Sequence, residues 1–192
     1  MLVLASASPR RRALLAEIGV DFVVDAAAID ESLPPGRAPA AAAAELARRK
    51  ARAVAERRRD GRPVLAADTL VVSADGEVLG KPVDAADARR MLRRLSGTTQ
   101  SVITGVCLLV LGTEYVDSVA TRVTMRALSE DEIEDYVQSG EPFGKAGAYA
   151  IQETGDRFVT AVEGSHSNVV GLPVERVTEL LHAAGLLTEG RT

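Results

Sequence analysis

The sequence predicts an α/β fold built on a mixed β-sheet, and three observations carry that expectation. Short apolar runs alternate with helix-forming stretches; one of those stretches, 38–59, is long and rich in Ala, Arg and Glu; and two long strand-like runs, 100–111 and 115–127, are separated only by Gly112-Thr113-Glu114. Strands alternating with helices belong to one sheet with helices on its faces, whereas a short glycine-containing connection makes the last pair an antiparallel hairpin. With 192 residues, 46% hydrophobic and 26% charged, the chain is long enough for one well-formed core, so a single domain over 1–192 is expected.

The first strand, 2–5, breaks into Ser6-Ala7-Ser8-Pro9 and delivers Arg10, Arg11 and Arg12. Ser8 suits an N-cap, Pro9 the first helical position and Gly19 the stop. Cations at a helix N-terminus oppose its dipole. The three arginines therefore form either a solvated basic turn or, with the free backbone N–H groups, a grip on an anion. A short strand at 22–24 leads to an acidic loop, Asp30-Glu31, and a Pro/Gly turn at 34–36. In the long helix Leu46, Lys50 and Val54 share one apolar stripe by their four-residue spacing. Lys50 thus either snorkels to water along the core edge or points inward.

The apolar run 64–72 is interrupted by Asp68-Thr69. A carboxylate within a buried strand is costly unless a metal ion, a cation or several donors satisfy it; the alternative is a shorter strand with Asp68 capping a turn. A hairpin turn at 73–76 and the rigid loop Leu79-Gly80-Lys81-Pro82 follow, and Asp84, with Asp87 at the capping-box position, starts a helix that runs to Leu95 and stops at Gly97. Beyond the hairpin, Ser129 and Glu132 form a capping box for a helix ending near Gly140. The stretch 144–152 is glycine- and alanine-rich, so a ligand can approach its backbone, with Lys145 supplying charge and Gln152 a neutral amide. A strand at 158–162, a loop at 164–168 and a terminal helix opened by Leu172-Pro173 and running to Gly185 complete the pattern.

A net charge of −4 argues against a general nucleic-acid binder, and three Phe, three Tyr and no Trp leave few stacking platforms for single strands. The single Cys107, inside the apolar run 102–111, excludes a disulfide framework and a cysteine-rich zinc site, and reads as a buried inert thiol. No signal-peptide pattern or membrane-spanning run is present, so a cytoplasmic protein away from membranes is expected. HExxH, GxSxG and GxxxxGK[ST] signatures are absent, and His166 in its polar loop reads as solvated. Dispersed carboxylates and cations remain. Glu31 and Asp68 can supply oxygen ligands to a hard divalent cation, while Arg11, Lys50, Lys81 and Lys145 can neutralise a polyphosphate. That set suits phosphoryl or nucleotidyl chemistry.

Five motifs, in order and across nearly the whole chain, carry a family resemblance: Leu4-Ala5-Ser6-Ala7-Ser8-Pro9-Arg10-Arg11, Ala67-Asp68-Thr69, Leu79-Gly80-Lys81-Pro82, Gly144-Lys145-Ala146-Gly147-Ala148-Tyr149 and Asn168-Val169-Val170-Gly171-Leu172-Pro173. Together they resemble the Maf family. The resemblance implies an elongated mixed sheet with flanking helices, two lobes around a cleft and a likeness to inosine triphosphatases. It implies a nucleoside triphosphate pyrophosphatase that releases a monophosphate and pyrophosphate, uses Mg2+ or Mn2+ and forms a homodimer. Asp68 falls on the family's proton acceptor, with metal ligation, beside Glu31, as its competing role. Ser8, Arg11, Lys50, Lys81 and Lys145 fall among the phosphate-binding positions. Arg10, Thr69 and Gln152 match the branch acting on dTTP and UTP, whereas the 7-methyl-GTP branch has an aromatic residue where Arg10 stands. Gln152 points the same way chemically, since its amide can match the N3–H donor and flanking carbonyl of uracil or thymine. Two departures stand out: Gln100 where a histidine is frequent and Gly144 where an aspartate is frequent. The family's link to division arrest makes a weakly catalytic regulator of septum formation the rival, which an intact Asp68, Glu31, Lys50 and Lys81 disfavour.

Overall fold

The computed structural model describes residues 1–32, 36–152 and 154–187; Pro34 and Pro35 of the expected turn lie outside them. β1 (Leu2–Leu4) is flanked by two parallel partners, β2 (Phe22–Val24) and β3 (Val64–Val72), with Val3 opposite both Val23 and Val64. Continuing through β5 (Thr99–Val110), β6 (Thr113–Met125) and β7 (Val159–Glu163), the sheet has the order β2-β1-β3-β5-β6-β7, and β4 (Val78–Leu79) pairs antiparallel with β3. The sheet is mixed, as the sequence pattern predicts. Among the described residues no helix is long and apolar enough to cross a membrane.

The described residues divide into two compact units, each assembled from several segments: 1–32, 36–68, 104–119 and 171–187 in one, and 69–103, 120–152 and 154–170 in the other. In the first unit α1 (Pro9–Glu17) begins as expected, with Ser8 in extended conformation and its hydroxyl accepting from the Arg11 N–H at 3.4 Å. α2 (Pro39–Arg58) buries Ala42, Ala43, Leu46, Ala47, Lys50, Ala51 and Val54, the stripe that a 3.6-residue period dictates. Its alanines let the backbone come very close to the sheet. A Cβ on Gly105 of β5 would stand 2.2 Å from the Ala43 carbonyl carbon, so only glycine fits there. Val3, Ala5, Ala47, Ala51, Val54, Val64, Ala66 and Cys107 form a core of this unit. α6 (Val174–Ala183) belongs to the same unit.

In the second unit Asp84 caps α3 (Ala85–Leu95) by accepting from the Asp87 N–H at 2.8 Å, and Ser129 with Glu132 forms the expected reciprocal box on α4 (Glu130–Gln138). Arg89 grips Glu134 with two hydrogen bonds, 2.6 and 2.8 Å, and so ties these helices together. Tyr136 meets Phe158 edge to face, ring centroids 5.0 Å apart. Two sequence expectations are corrected: the loop expected at 164–168 runs into a short helix, α5 (His166–Val170), whose start is held by the Ser165 hydroxyl accepting from the Asn168 N–H at 3.2 Å. Five residues are too few to show a helical period. The strand expected at 158–162 begins one residue later, because Phe158 closes a 3-10 turn (Thr154–Phe158).

Candidate active site

Asp68 is not a turn cap. It lies within the nine-residue strand β3, only 7% exposed, with Ala66 and Ala67 fully buried before it. Lys50 answers it from the buried stripe of α2: its Nζ is 2.5 Å from Asp68 Oδ1 and 2.7 Å from Glu31 Oε1. The ammonium thus points inward, and a helix, a strand and the acidic loop after β2 meet at one cation. Side chains of Lys50 and Asp68 are each 9% exposed, that of Glu31 47%, so the first pair is desolvated while the second borders water. Burial of the carboxylate is tolerated because a charge-assisted bond satisfies it.

Arg11 turns back onto its own framework. Its Nε donates to the Gly171 carbonyl at 2.7 Å, and Nη1 donates to the Ala67 carbonyl at 2.8 Å and to Ser6 Oγ at 3.5 Å. Burial draws the guanidinium pKa below its ordinary range, with Asp68 pulling it back up, Arg10 lowering it further and Glu31 raising it. A guanidinium cannot lose its proton at physiological pH, so Arg11 is a fixed positive charge beside the carboxylates. Its fork is committed in large part to backbone, including the residue just before Asp68. Ser6 Oγ also accepts from the Ser8 N–H at 3.2 Å, which shapes the turn that presents Ser8 and the half-buried Arg10.

Glu31 and Asp68 each bring one carboxylate oxygen to the Lys50 ammonium, and these are the two oxygen donors the sequence offers a divalent cation. Among the described residues no group of three or more His, Cys, Asp or Glu side chains suited to a metal ion gathers, so a cation held here would take these two carboxylates as the protein's share. That share fits Mg2+, which keeps waters and is commonly held by one or two carboxylates plus substrate phosphates. The Lys50 ammonium now stands where these oxygens converge.

The remaining expected residues belong to the second unit. Thr69, next after Asp68, is half-buried, and Lys81 is exposed on the loop after β4. That loop is tied to the glycine-rich stretch: the Gly147 N–H donates to the Gly80 carbonyl at 3.0 Å, and Gly147 sits at φ +70, where a Cβ would press on the Val71 methyls at 3.0 Å. Lys145 is 8% exposed and its Nζ donates to the Glu141 carbonyl at 2.6 Å. Gln152 is exposed. Both departures from the family pattern have local explanations. Gln100 is buried and, with its amide oriented to satisfy its neighbours, donates to the Val123 carbonyl at 3.1 Å and accepts from the Tyr149 hydroxyl at 3.2 Å. Burial pushes the Tyr149 phenol up to about 12, so it stays a neutral donor. Gly144 sits at φ +76, a conformation glycine adopts without strain.

Two contacts escape the sequence reading: the Arg11 clamp on Ala67 and Gly171, for which no local pattern exists, and Glu141, whose only signal is its place at the head of the glycine-rich stretch.

The family model described as Maf-like protein matches residues 1–184. A dTTP/UTP pyrophosphatase of Myxococcus xanthus (strain DK1622) is 55% identical over 186 residues, covering 97% of this chain and 93% of that protein. A second, from Anaeromyxobacter dehalogenans (strain 2CP-C), is 54% identical over 188 residues, covering 96% and 94%. Among solved structures, a HAM1 protein from Coxiella burnetii aligns with a TM-score of 0.53 at 17% identity over 95% of this chain and 98% of that one, a likeness of fold.

Proposed function

The chain belongs to the Maf-like protein family, and from that premise we propose that it hydrolyses dTTP and UTP between the α and β phosphates, releasing the monophosphate and pyrophosphate. The observation that carries the reading is the buried Asp68, held by Lys50 and faced by Glu31. Relatives at 54–55% identity over nearly their whole length bear the same activity in their names.

Asp68 Oδ1 is engaged by Lys50, and Oδ2 is the oxygen assigned to take the proton of the attacking water. The water oxygen bonds to the α-phosphorus, the bridging α–β oxygen leaves with its electron pair, and pyrophosphate departs. Glu31, with Asp68 only in its competing role as ligand instead of base, would hold Mg2+ or Mn2+, which when bound supplies charge neutralisation at the phosphates and lowers the pKa of bound water. Lys50 pre-organises the carboxylates and lends positive charge to the phosphates; Arg11 keeps Ala67, and so Asp68, in place. The Ser8 turn, Lys81 and Lys145 are assigned to phosphate oxygens. Arg10, Thr69 and Gln152 select the base: an amide offers uracil and thymine one donor and one acceptor, whereas the paired donors of guanine suit a carboxylate. The work of such an enzyme lies with its nucleotides, in the cytoplasm, and its partner beyond substrate is a second copy of the chain, testable by sedimentation.

The test is pyrophosphate release from dTTP, UTP, CTP, GTP, 7-methyl-GTP, ATP and ITP with Mg2+ or Mn2+, with the nucleotide product identified. Monophosphate from dTTP and UTP is expected. Turnover of purines alone would overturn the base assignment, and binding without turnover would favour a regulator of septum formation.

A further inference from the structure

We infer that Glu141 is a positioning residue for base selection: its carboxylate clasps the glycine-rich stretch at its far end and so fixes where Gln152 stands. The inference rests on the reading of Gln152 as the group that meets the base. Glu141 Oε1 accepts from the Tyr136 hydroxyl at 3.0 Å and from the Gly155 N–H at 3.2 Å. The Thr154 hydroxyl bonds the same carboxylate, and these bonds with the nearby Lys145 charge hold the carboxyl below its ordinary value although burial pushes it up. Residues 141 and 155 are thereby joined across the stretch that carries Lys145 and Gln152.

The clasp stands on a rigid base. Tyr136 is 1% exposed on α4 and packs edge-on against Phe158. On the far side a Cβ at Gly155 would lie 2.6 Å from the Ala150 carbonyl oxygen and 2.9 Å from the Tyr136 hydroxyl, so the chain is drawn in as closely as glycine allows. The two halves of the stretch are held differently. Lys145 is kept by the Glu141 backbone carbonyl, and Gly147 by the Gly80 carbonyl; neither bond involves the Glu141 side chain. Gln152, three residues before Gly155, takes its position from the carboxylate. Removing that carboxylate should therefore release the base-reading end, while Lys145 loses a nearby charge but keeps its bond to the Glu141 backbone carbonyl.

The experiment compares kcat and KM for dTTP and GTP in the parent, Glu141→Ala, Glu141→Gln, Gln152→Ala and the Glu141→Ala/Gln152→Ala double variant. Loss of a small hydrogen-bonded clasp should reduce dTTP-over-GTP discrimination about tenfold in Glu141→Ala, expressed in the KM for dTTP, with kcat within about threefold. Glutamine keeps an acceptor oxygen, so Glu141→Gln should recover most of the discrimination. The double variant should be no worse than Gln152→Ala, because one residue acts through the other. If Gln152→Ala lowers discrimination and Glu141→Ala leaves it unchanged, the clasp is refuted while the reading of Gln152 stands. If Gln152→Ala changes nothing, that reading falls and the inference with it. A uniform fall in kcat for both nucleotides, without rescue by glutamine, would show a purely structural role and overturn the inference. Should Glu141→Ala fail to fold, Tyr136→Phe removes one donor and keeps the ring on Phe158; a twofold to threefold loss of discrimination is expected, a fraction of the strength of one such bond because the other donors remain, and no loss would refute the clasp.

Discussion

Replacing Lys50 by Met removes the cation from a desolvated carboxylate while nearly keeping its volume. Both side chains of the Lys50–Asp68 pair are 9% exposed and their charged atoms are 2.5 Å apart, so little solvent screening discounts the loss. Breaking a buried pair by deleting one partner costs about 3–5 kcal/mol. The second contact, to a Glu31 side chain that is 47% exposed, adds no more than about 1 kcal/mol. Taking about 3 kcal/mol for Lys50→Met, the midpoint of thermal unfolding should fall by about 6–12 °C, since 1 kcal/mol moves a chain of this size by about 2–4 °C. Asp68→Asn should cost less, about 1–3 kcal/mol, because Lys50 keeps Glu31. The double variant leaves no unpaired buried charge and should be more stable than the sum of the single losses by about 2 kcal/mol. Urea unfolding of all four proteins at pH 7.5 gives the cycle. Losses additive within about 0.5 kcal/mol would show that the two charges are not coupled in solution and would refute the desolvated pair.

Four further outcomes follow from the structure. Asp68→Asn should abolish pyrophosphate release while leaving dTTP binding, measured calorimetrically, largely intact; normal turnover would remove Asp68 from the mechanism. Gly105→Ala places a Cβ 2.2 Å from backbone atoms of α2, so the helix that carries Lys50 must shift by more than ~1 Å, at a cost of about 3 kcal/mol in thermal unfolding. Gly80→Ala, with nothing within 4 Å of its added Cβ, should leave stability unchanged. Burial pushes the Cys107 thiol up to about 12, so about one molecule in ten thousand is thiolate at pH 8, and alkylation by iodoacetamide should track global unfolding. The sign is set by the unfolded thiol, whose pKa is about 8.5: between that value and about 12 the unfolded state binds fewer protons, so the contribution is present below the window and stability falls as pH rises through it.

The sequence made the capped helices legible because caps are local chemistry: Ser8, Asp84 and Ser129 each bond a backbone N–H three residues on. The buried lysine was legible as a choice between two orientations, since spacing puts Lys50 on the apolar stripe but does not say what waits opposite. Its partners are 18 and 19 residues away along the chain, on β3 and in the acidic loop, and only the fold sets them at 2.5 and 2.7 Å. α5 was hidden for the opposite reason: its five residues, His166–Val170, complete little more than one turn, and their polar start has the composition of a loop.

Arg11 shows most clearly where residue chemistry stops being enough. An arginine behind a Ser-Pro cap has the right charge and shape for a phosphate, and nothing in the motif distinguishes that use from another. A guanidinium fork can also bridge carbonyls, and here two of its bonds go to Ala67 and Gly171, 56 and 160 residues away. The strand residue it holds immediately precedes Asp68, so the same guanidinium whose charge suits a polyphosphate also fixes the backbone that presents the carboxylate. A lysine could keep the charge at this position but not the two directed bonds. Charge places Arg11 in the site; the geometry of its donors makes it part of the framework on which Asp68 depends.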